Sequence, residues 1–361
     1  MNREYRLLKG NEAVAEAAIR AGADAYFGYP ITPQSEVLEY LMAEKPYERT
    51  GMVVLQAESE VAAINMVYGG AGCGMMVLTS SSGPGISLKQ EGLSYMAGAE
   101  LPCVILNVVR GGPGLGTIQP SQSDYFQATK GGGHGDYRLL VLAPSSVQEM
   151  ADFTLLGFEL AFKYRNPVML LSDGAIGQMM EKVEFPQQKS RRTIEEIREQ
   201  CPWATLGKLQ GKQRNVITSL ELESIKQEKH NLKLQKKYAQ MTADEVRYEA
   251  VMCDDADYLL VAFGTSARIC MKTIQLGRSE GLKIGLLRPI TLFPFPSMAL
   301  AEMAHHVKGI LVVEMNAGQM IEDVKLAVSG KIQVEHFGRF GGIIPSPAEV
   351  LSAVKQKIIG G

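Results

Sequence analysis

Apolar residues recur along this chain with two alternating spacings. Met52 to Leu55 is an unbroken apolar run of strand length, and Gln56 and Ala57 turn the chain. Ala62, Ala63, Met66 and Val67 then return at helical spacing behind two carboxylates, Glu58 and Glu60. The pattern predicts a strand, a turn and a half-buried helix with Ala62, Ala63, Met66 and Val67 on its inner face. The same rhythm runs on both sides. Asn11 to Ala21 reads as a helix with Asn11 as N-cap and Gly22 past its end. Ala25 to Tyr29 reads as a strand, followed by a helix with Thr32 as N-cap and Pro33 in its first position. Further strands are expected at Met75 to Thr79, Leu101 to Val109, Leu139 to Ala143 and Pro167 to Ser172. Helices fall between them at Ile86 to Gly98 and Ser146 to Lys163. Strands alternating with helices define an α/β fold built on a parallel sheet with helices on both faces.

The rhythm breaks from Glu184 to about Asp254. This stretch holds a charged run, Ser190 to Arg198, an irregular part around Trp203, and a lysine-rich part, Glu221 to Tyr238. Lys226, Lys229, Lys233, Lys236 and Lys237 read as one solvated helix face, because no aromatic residues interleave them as a nucleic-acid surface would require. Alternation resumes at Tyr258 to Phe263, with Gly264-Thr265-Ser266 capping the next helix. Strands at Lys283 to Leu287, Gly309 to Val313 and Ile332 to Val334 follow, with helices near Pro296 to His306, Gln319 to Val328 and Pro347 to Lys357. The expected division is a first domain at 1–185, a linker at 186–254 and a smaller α/β domain at 255–361.

Composition narrows the function. Against 39 acidic residues stand 37 Lys and Arg, a net charge of −2, so no global field draws nucleic acid or an anionic membrane. No apolar run reaches the roughly 18 residues of a membrane span, and the first ten residues lack the apolar core of a signal peptide. The five cysteines include no CxxC pair, which fits a reducing compartment and argues against a cluster or zinc site. A cytoplasmic protein is expected.

Several residues carry candidate chemistry. Carboxylates at a strand-to-helix junction lie at the carboxyl edge of a sheet, where open α/β folds bind ligands. Glu58 and Glu60 are equally compatible with simple stabilisation of a helix N-terminus. Thr32 reads either as a plain N-cap or as part of a small-anion site. Arg110 follows the apolar run LPCVILNVV and must pair with a protein carboxylate or receive an anionic ligand. Ser80 to Gly85 (SSSGPG) can admit a flat ring against backbone and is not a Walker A loop, since GK[ST] is missing. His134, in the loop GGGHGD, has no evident partner and reads as solvated.

Four motifs in order, GYPITP, QAESEVAAINMVYGGAGCG, TSSSGPGISLKQEGLSYMAGAELP and NVVRGGPGLG, resemble the α subunits of 2-oxoacid:ferredoxin oxidoreductases, with the branched-chain (2-oxoisovalerate) type nearest. The resemblance covers nearly the whole chain. It implies a pyrimidine-binding domain of thiamine diphosphate enzymes at 1–185, and a second domain similar to the transketolase C-terminal domain. It places the cofactor-activating carboxylate on Glu60. Thr32 and Arg110 match the positions that contact the substrate carboxylate, and Pro30, Ser82 and Gly83 those that line the cofactor. The family's GDG…N magnesium motif is missing from this chain, since Gly135-Asp136-Tyr137 does not supply it. The resemblance therefore implies a β subunit that carries the diphosphate site, magnesium and an iron–sulfur cluster. It further implies a ferredoxin-like subunit, ferredoxin as electron acceptor and coenzyme A as co-substrate. The alternatives are a 2-oxoglutarate enzyme, a non-catalytic assembly subunit and a different thiamine enzyme.

Overall fold

The computed structural model describes residues 4–208, 211 and 213–360. Fourteen strands occur among them: β1 Glu4–Lys9, β2 Ala25–Gly28, β3 Val53–Gln56, β4 Val77–Ser81, β5 Cys103–Val109, β6 Leu140–Leu142, β7 Pro167–Asp173, β8 Met180–Phe185, β9 Tyr248–Val251, β10 Tyr258–Val261, β11 Ile284–Pro289, β12 Thr291–Phe293, β13 Gly309–Glu314 and β14 Val334–Gly338. Seven of them form a sheet in the order β12-β6-β7-β5-β4-β2-β3, parallel except for β12, which runs antiparallel to β6. Five form a second sheet, β14-β13-β10-β11-β9, parallel except at β9. Both sheets are covered by helices, as their apolar strands demand. Every residue of β5 and β7 is buried, which explains their unbroken apolar sequences.

β1 and β8 make a small antiparallel sheet of their own, with Leu8 level with Glu181 and Val183 with Arg6. Sequence spacing missed both strands, because each is short and charged and its pairing partner is distant in the chain. Leu8, Val183 and Phe185 close a local core over Ala13, Ala17, Val147 and Ala151. The pairing gives the polar first residues a strand that the sequence spacing does not predict. It also moves the first helix, which spans Gly10–Ala21 with Lys9 as N-cap, the Lys9 N–H donating to Glu12. Asn11 is instead buried and donates to the Pro33 carbonyl and to Glu36.

Other boundaries shift for similar reasons. The helix after β2 spans Ser35–Glu44 with Gln34 as N-cap, and Ile31 to Gln34 form a turn closed by the Gln34 N–H on the Ile31 carbonyl. Thr32 is therefore not a helix cap. In the helix Glu60–Gly72, Ile64 and Ala71 join Ala63 and Val67 on the buried face, while Met66 is exposed. This helix follows the edge strand β3 and packs on β2 and β4, and Val53 and Leu55 of β3 are also exposed. The lysine-rich helix Ser224–Asp244 is not uniformly solvated. Lys237 lies mostly buried beside Glu100, and burial pulls its ammonium down to about 8. Lys233 pairs with the same carboxylate.

The two sheets are joined by polar stitches rather than by contact of apolar faces alone. Gln122 donates to the Phe263 carbonyl at 2.8 Å and accepts from Ser266 Oγ and the Met315 N–H. Thr265 donates to Asp173 at 2.8 Å. Thr265 and Ser266 thus lie in the first turn of the helix Gly264–Ser279 and bind the first sheet, instead of capping the helix as the sequence pattern predicts. Glu314 caps the helix Met320–Val328, accepting the Met320 and Ile321 N–H groups.

One buried charge cluster holds the N-terminal helix. Glu16 has no exposed surface, and it accepts from Arg20 at 2.6 Å, Arg49 at 2.9 Å and Tyr40 at 3.1 Å. Burial raises its pKa, but Arg49 and Arg20 outweigh that and hold the carboxyl below its ordinary value. Glu16→Gln leaves these guanidinium groups without their carboxylate, and it is expected to cost about 3 kcal/mol in urea unfolding of the chain. A loss below about 1 kcal/mol would show the cluster to be surface-like in strength.

Candidate active site

The carboxyl ends of β2, β3, β4 and β5 lie side by side in the first sheet, and each leads into a loop that carries candidate residues. β3 ends at Gln56, and the Ala57 N–H bonds back to the Gly28 carbonyl. Ser59 then starts the helix, its hydroxyl accepting from the Ala62 N–H at 3.2 Å. This geometry separates the two carboxylates. Glu58 is exposed, whereas Glu60 turns into the protein and is 7% exposed. Among the described residues the Glu60 carboxylate has neither a hydrogen-bond donor nor an ion-pair partner. A lone buried carboxylate is costly, and the usual compensation is a ligand or a nearby charge.

β4 supplies the opposite wall. Ser81 and Ser82 are fully buried, and both hydroxyl groups lack a partner. Gly83 has φ +49°, and a side chain there would meet Arg110 Nε at 3.0 Å. Gly85 is more restrictive. A Cβ at this position would lie 2.2 Å from Ser81 Oγ and 2.5 Å from Glu60 Oε1. The helix Pro84–Gly98 therefore reaches Glu60 only because position 85 has no side chain.

Arg110 leaves the end of β5 and is 8% exposed. Its guanidinium donates to the Thr32 carbonyl at 2.9 Å and the Leu115 carbonyl at 3.1 Å, and Nε is left without a partner. No carboxylate neutralises it among the described residues. Thr32 is exposed and meets Arg110 through its carbonyl, and Pro30 is exposed at the rim. Beneath this loop, Tyr26 bonds Ser80 at 2.7 Å, Ser80 donates to Gln34, and Gln34 donates to the Tyr29 carbonyl. Arg110 and Gly83 line a cleft of about 750 Å³ that also touches Asp124 and, from the second sheet's loops, Asn316 and Phe340. The structure thus gathers Glu60, Ser82, Gly83, Arg110 and the Thr32 carbonyl on one sheet edge. His134 is exposed in its glycine loop, where only its carbonyl is engaged, by Ser94.

Sequence reasoning missed Lys89. It is fully buried, and its ammonium donates to Thr79 Oγ1. Burial pulls it down to about 7, against the opposing attraction of Glu60. The signal was present. Position 89 falls on the stripe formed by Ile86, Leu93, Met96 and Ala97, the buried side of its helix.

The site stands at the carboxyl edge of a parallel sheet, and comparison with known proteins gives the class, a thiamine diphosphate-binding α/β protein. The family model described as pyruvate flavodoxin/ferredoxin oxidoreductase, thiamine diphosphate-binding, matches residues 16–247, and pyruvate:ferredoxin oxidoreductase core domain II matches 256–350. The chain belongs to the 2-oxoacid:ferredoxin oxidoreductase family and is a subunit of such an enzyme. It is 50% identical over 351 residues to the ketoisovalerate oxidoreductase subunit VorB of Methanothermobacter thermautotrophicus, covering 97% of each chain. It is 36% identical to the 2-oxoglutarate synthase subunit KorA of Methanothermobacter marburgensis, covering 98% of this chain and 99% of that one. The structure superposes with a TM-score of 0.83 on 2-oxoglutarate:ferredoxin oxidoreductase from Magnetococcus marinus with 2-oxoglutarate, coenzyme A and succinyl-CoA bound, at 28% identity. That match covers 98% of this chain and 65% of the longer one.

The residues present fit the aminopyrimidine end of thiamine diphosphate. The orphan Glu60 carboxylate can face a ring nitrogen, and the unpartnered Ser81 and Ser82 hydroxyls are available beside it. Lys89 offers a check that needs no cofactor. An exposed lysine keeps its proton to about pH 10.4 in the unfolded chain, whereas folded Lys89 releases it near 7. Between these values the unfolded state holds the extra proton, so this group's contribution to stability rises with pH. The stability of the unaltered chain relative to Lys89→Met, measured by urea midpoints from about pH 7 to 10, is therefore expected to rise with pH. A pH-independent difference would place Lys89 in contact with water.

Proposed function

We propose that this chain is the pyrimidine-binding half of a thiamine diphosphate-dependent 2-oxoacid:ferredoxin oxidoreductase. It would oxidise a branched-chain 2-oxoacid, with 2-oxoisovalerate favoured, to carbon dioxide and an acyl-coenzyme A. The observation that carries the reading is the buried, partnerless Glu60 carboxylate held against Gly85. The substrate reading rests on the 50% identity to a ketoisovalerate oxidoreductase subunit, against 36% to a 2-oxoglutarate synthase subunit. Residues 1–185, 186–254 and 255–361 remain our division into pyrimidine-binding domain, linker and C-terminal domain.

Bound thiamine diphosphate supplies the carbon nucleophile and the electron sink for decarboxylation. Glu60 would hold the ring nitrogen N1′ through a charge-assisted hydrogen bond. Ser82 and Gly83 let the flat ring approach the backbone, and Pro30 closes the rim. Arg110 holds the oxoacid carboxylate. It is fixed by two carbonyl groups rather than by a counter-ion, so its charge is free for an anion. Thr32 completes that contact with its exposed hydroxyl. Because the chain lacks the GDG…N motif, we assign diphosphate, magnesium and an iron–sulfur cluster to a β subunit. The exposed Val53, Leu55, Val61 and Met66 beside Glu60 suit such a subunit seam. A ferredoxin-like subunit and ferredoxin would take the electrons, and coenzyme A the acyl group. The free state of all five cysteines supports a reducing, cytoplasmic setting.

In the assembled enzyme, Glu60→Gln is expected to lower turnover by about 10²–10⁴-fold in oxoacid-dependent dye reduction. Activity within a factor of about two would remove Glu60 from the reaction. Arg110→Met is expected to raise the Michaelis constant for the oxoacid by about 10- to 100-fold, the loss of one charged hydrogen bond, with thiamine diphosphate binding retained. Unchanged kinetics would make Arg110 a loop brace. A panel of oxoacids decides the substrate: preference for 2-oxoglutarate over 2-oxoisovalerate would overturn the branched-chain reading.

A further inference from the structure

We propose that Phe340 selects the oxoacid side chain: its ring, presented by the second sheet, packs against an apolar branched chain while Arg110 holds the carboxylate. The inference rests on the assignment of Arg110 above. Arg110 follows β5 and Phe340 follows β14, each at the carboxyl end of its strand, and both line the cleft of about 750 Å³. The two loops meet backbone to backbone. A Cβ on Gly342 would lie 2.4 Å from the Gln119 Cβ, and one on Gly111 would lie 3.2 Å from the Gly342 nitrogen. The missing side chains let the Phe340 loop seat directly on the Arg110 loop. Phe340 itself is 66% exposed, although the chain two residues further on is in tight contact.

The charges in the cleft decide the substrate class. Among the described residues that line it, Arg110 and Asp124 are the only charged ones. Arg339, next to Phe340 in the chain, is taken up by Glu349. The polar side chains are spent on one another and on the backbone. Asn316 donates to Glu314 and to the Gln122 carbonyl, and Gln127 donates to Ser87. Gln319 donates to the Ser123 carbonyl and accepts from the Phe126 N–H. Once Arg110 has bound one carboxylate, no cation lining the cleft is left for a second, and Asp124 opposes it. A dicarboxylic oxoacid such as 2-oxoglutarate would therefore bring in an unpaired charge, which is costly away from water. A branched apolar chain instead covers a ring that is already bare, and apolar surface leaves water. The cleft fits monocarboxylic oxoacids with branched apolar chains.

The test uses the assembled enzyme, with kcat/KM measured for 2-oxoisovalerate, pyruvate and 2-oxoglutarate. Phe340→Ala is expected to lower the preference for 2-oxoisovalerate over pyruvate by about tenfold, chiefly through KM. Phe340→Lys is expected to raise 2-oxoglutarate relative to 2-oxoisovalerate by about tenfold, since it supplies the second cation. Position 340 is exposed, so both variants are expected to keep the urea midpoint of the unaltered enzyme. A binding readout needs no turnover. In enzyme without thiamine diphosphate that carries fluorinated phenylalanine, the fluorine signal that Phe340→Ala removes is expected to move with 2-oxoisovalerate and not with acetate. Preferences that stay within a factor of about two in both variants, or a signal that ignores the oxoacid, would overturn the proposal. So would Phe340→Ala raising KM for coenzyme A alone, which gives the ring to the co-substrate. The underlying reading is tested apart from position 340. Preference of the unaltered enzyme for 2-oxoglutarate overturns the branched-chain assignment, and unchanged kinetics in Arg110→Met overturn that of Arg110. Unmoved preferences in an enzyme that favours 2-oxoisovalerate and needs Arg110 sink this proposal alone.

Discussion

The structure around the candidate site depends on one close approach: the backbone of Gly85 against the Glu60 carboxylate. Nothing larger than hydrogen fits between Ser81 Oγ, Glu60 Oε1 and the first turn of the helix Pro84–Gly98. That contact sets how far the helix slides toward the sheet edge, and so where Lys89, one turn later, deposits its charge. A glutamate at the same place on an open helix end would interact with water and with the helix dipole, and would have little leverage on a bound ring.

The second half of the chain acts on this edge through hydrogen bonds and also lends Asn316 and Phe340 to the cleft beside Arg110. Gln122 ties the loop after β5 to Phe263, Ser266, Met315 and Asn316 of the second sheet's loops. The glycine-rich loop between Arg110 and Ser121 is thereby pinned at its far end, while Arg110 pins its near end through Leu115. Glycines at 111 and 116 permit the tight path, since a side chain at 116 would overlap the Gly111 carbonyl. The result is a guanidinium fixed in place but left without a counter-ion, at the mouth of a cleft shared by both sheets.

Charge is handled differently in the two buried clusters. Glu16 is surrounded by arginines in direct contact, an arrangement that stabilises one packing and leaves no lone pair for a ligand. Glu60 has no partner in direct contact among the described residues, so the carboxylate stays available. The contrast shows why burial alone does not identify a functional carboxylate. The absence of a local partner does.

Local sequence determined much of this protein. The apolar runs of β5 and β7, the helix Ser146 caps, and the alternation that requires parallel sheets follow from side-chain periodicity, which acts over a few residues. The motif residues Glu60, Ser82, Gly83 and Arg110 were also legible, because each sits where a strand must end. Tertiary structure decided what depends on distant neighbours. It paired β1 with β8, brought β12 into the first sheet, moved the helix start from Thr32 to Gln34, and turned Lys237 inward. It also turned Glu60 inward while leaving Glu58 exposed, and buried Lys89, because a charge next to an apolar stripe can face either water or core. Spacing cannot distinguish the two, and only the packing of the neighbouring helix and strand settles which way the side chain goes.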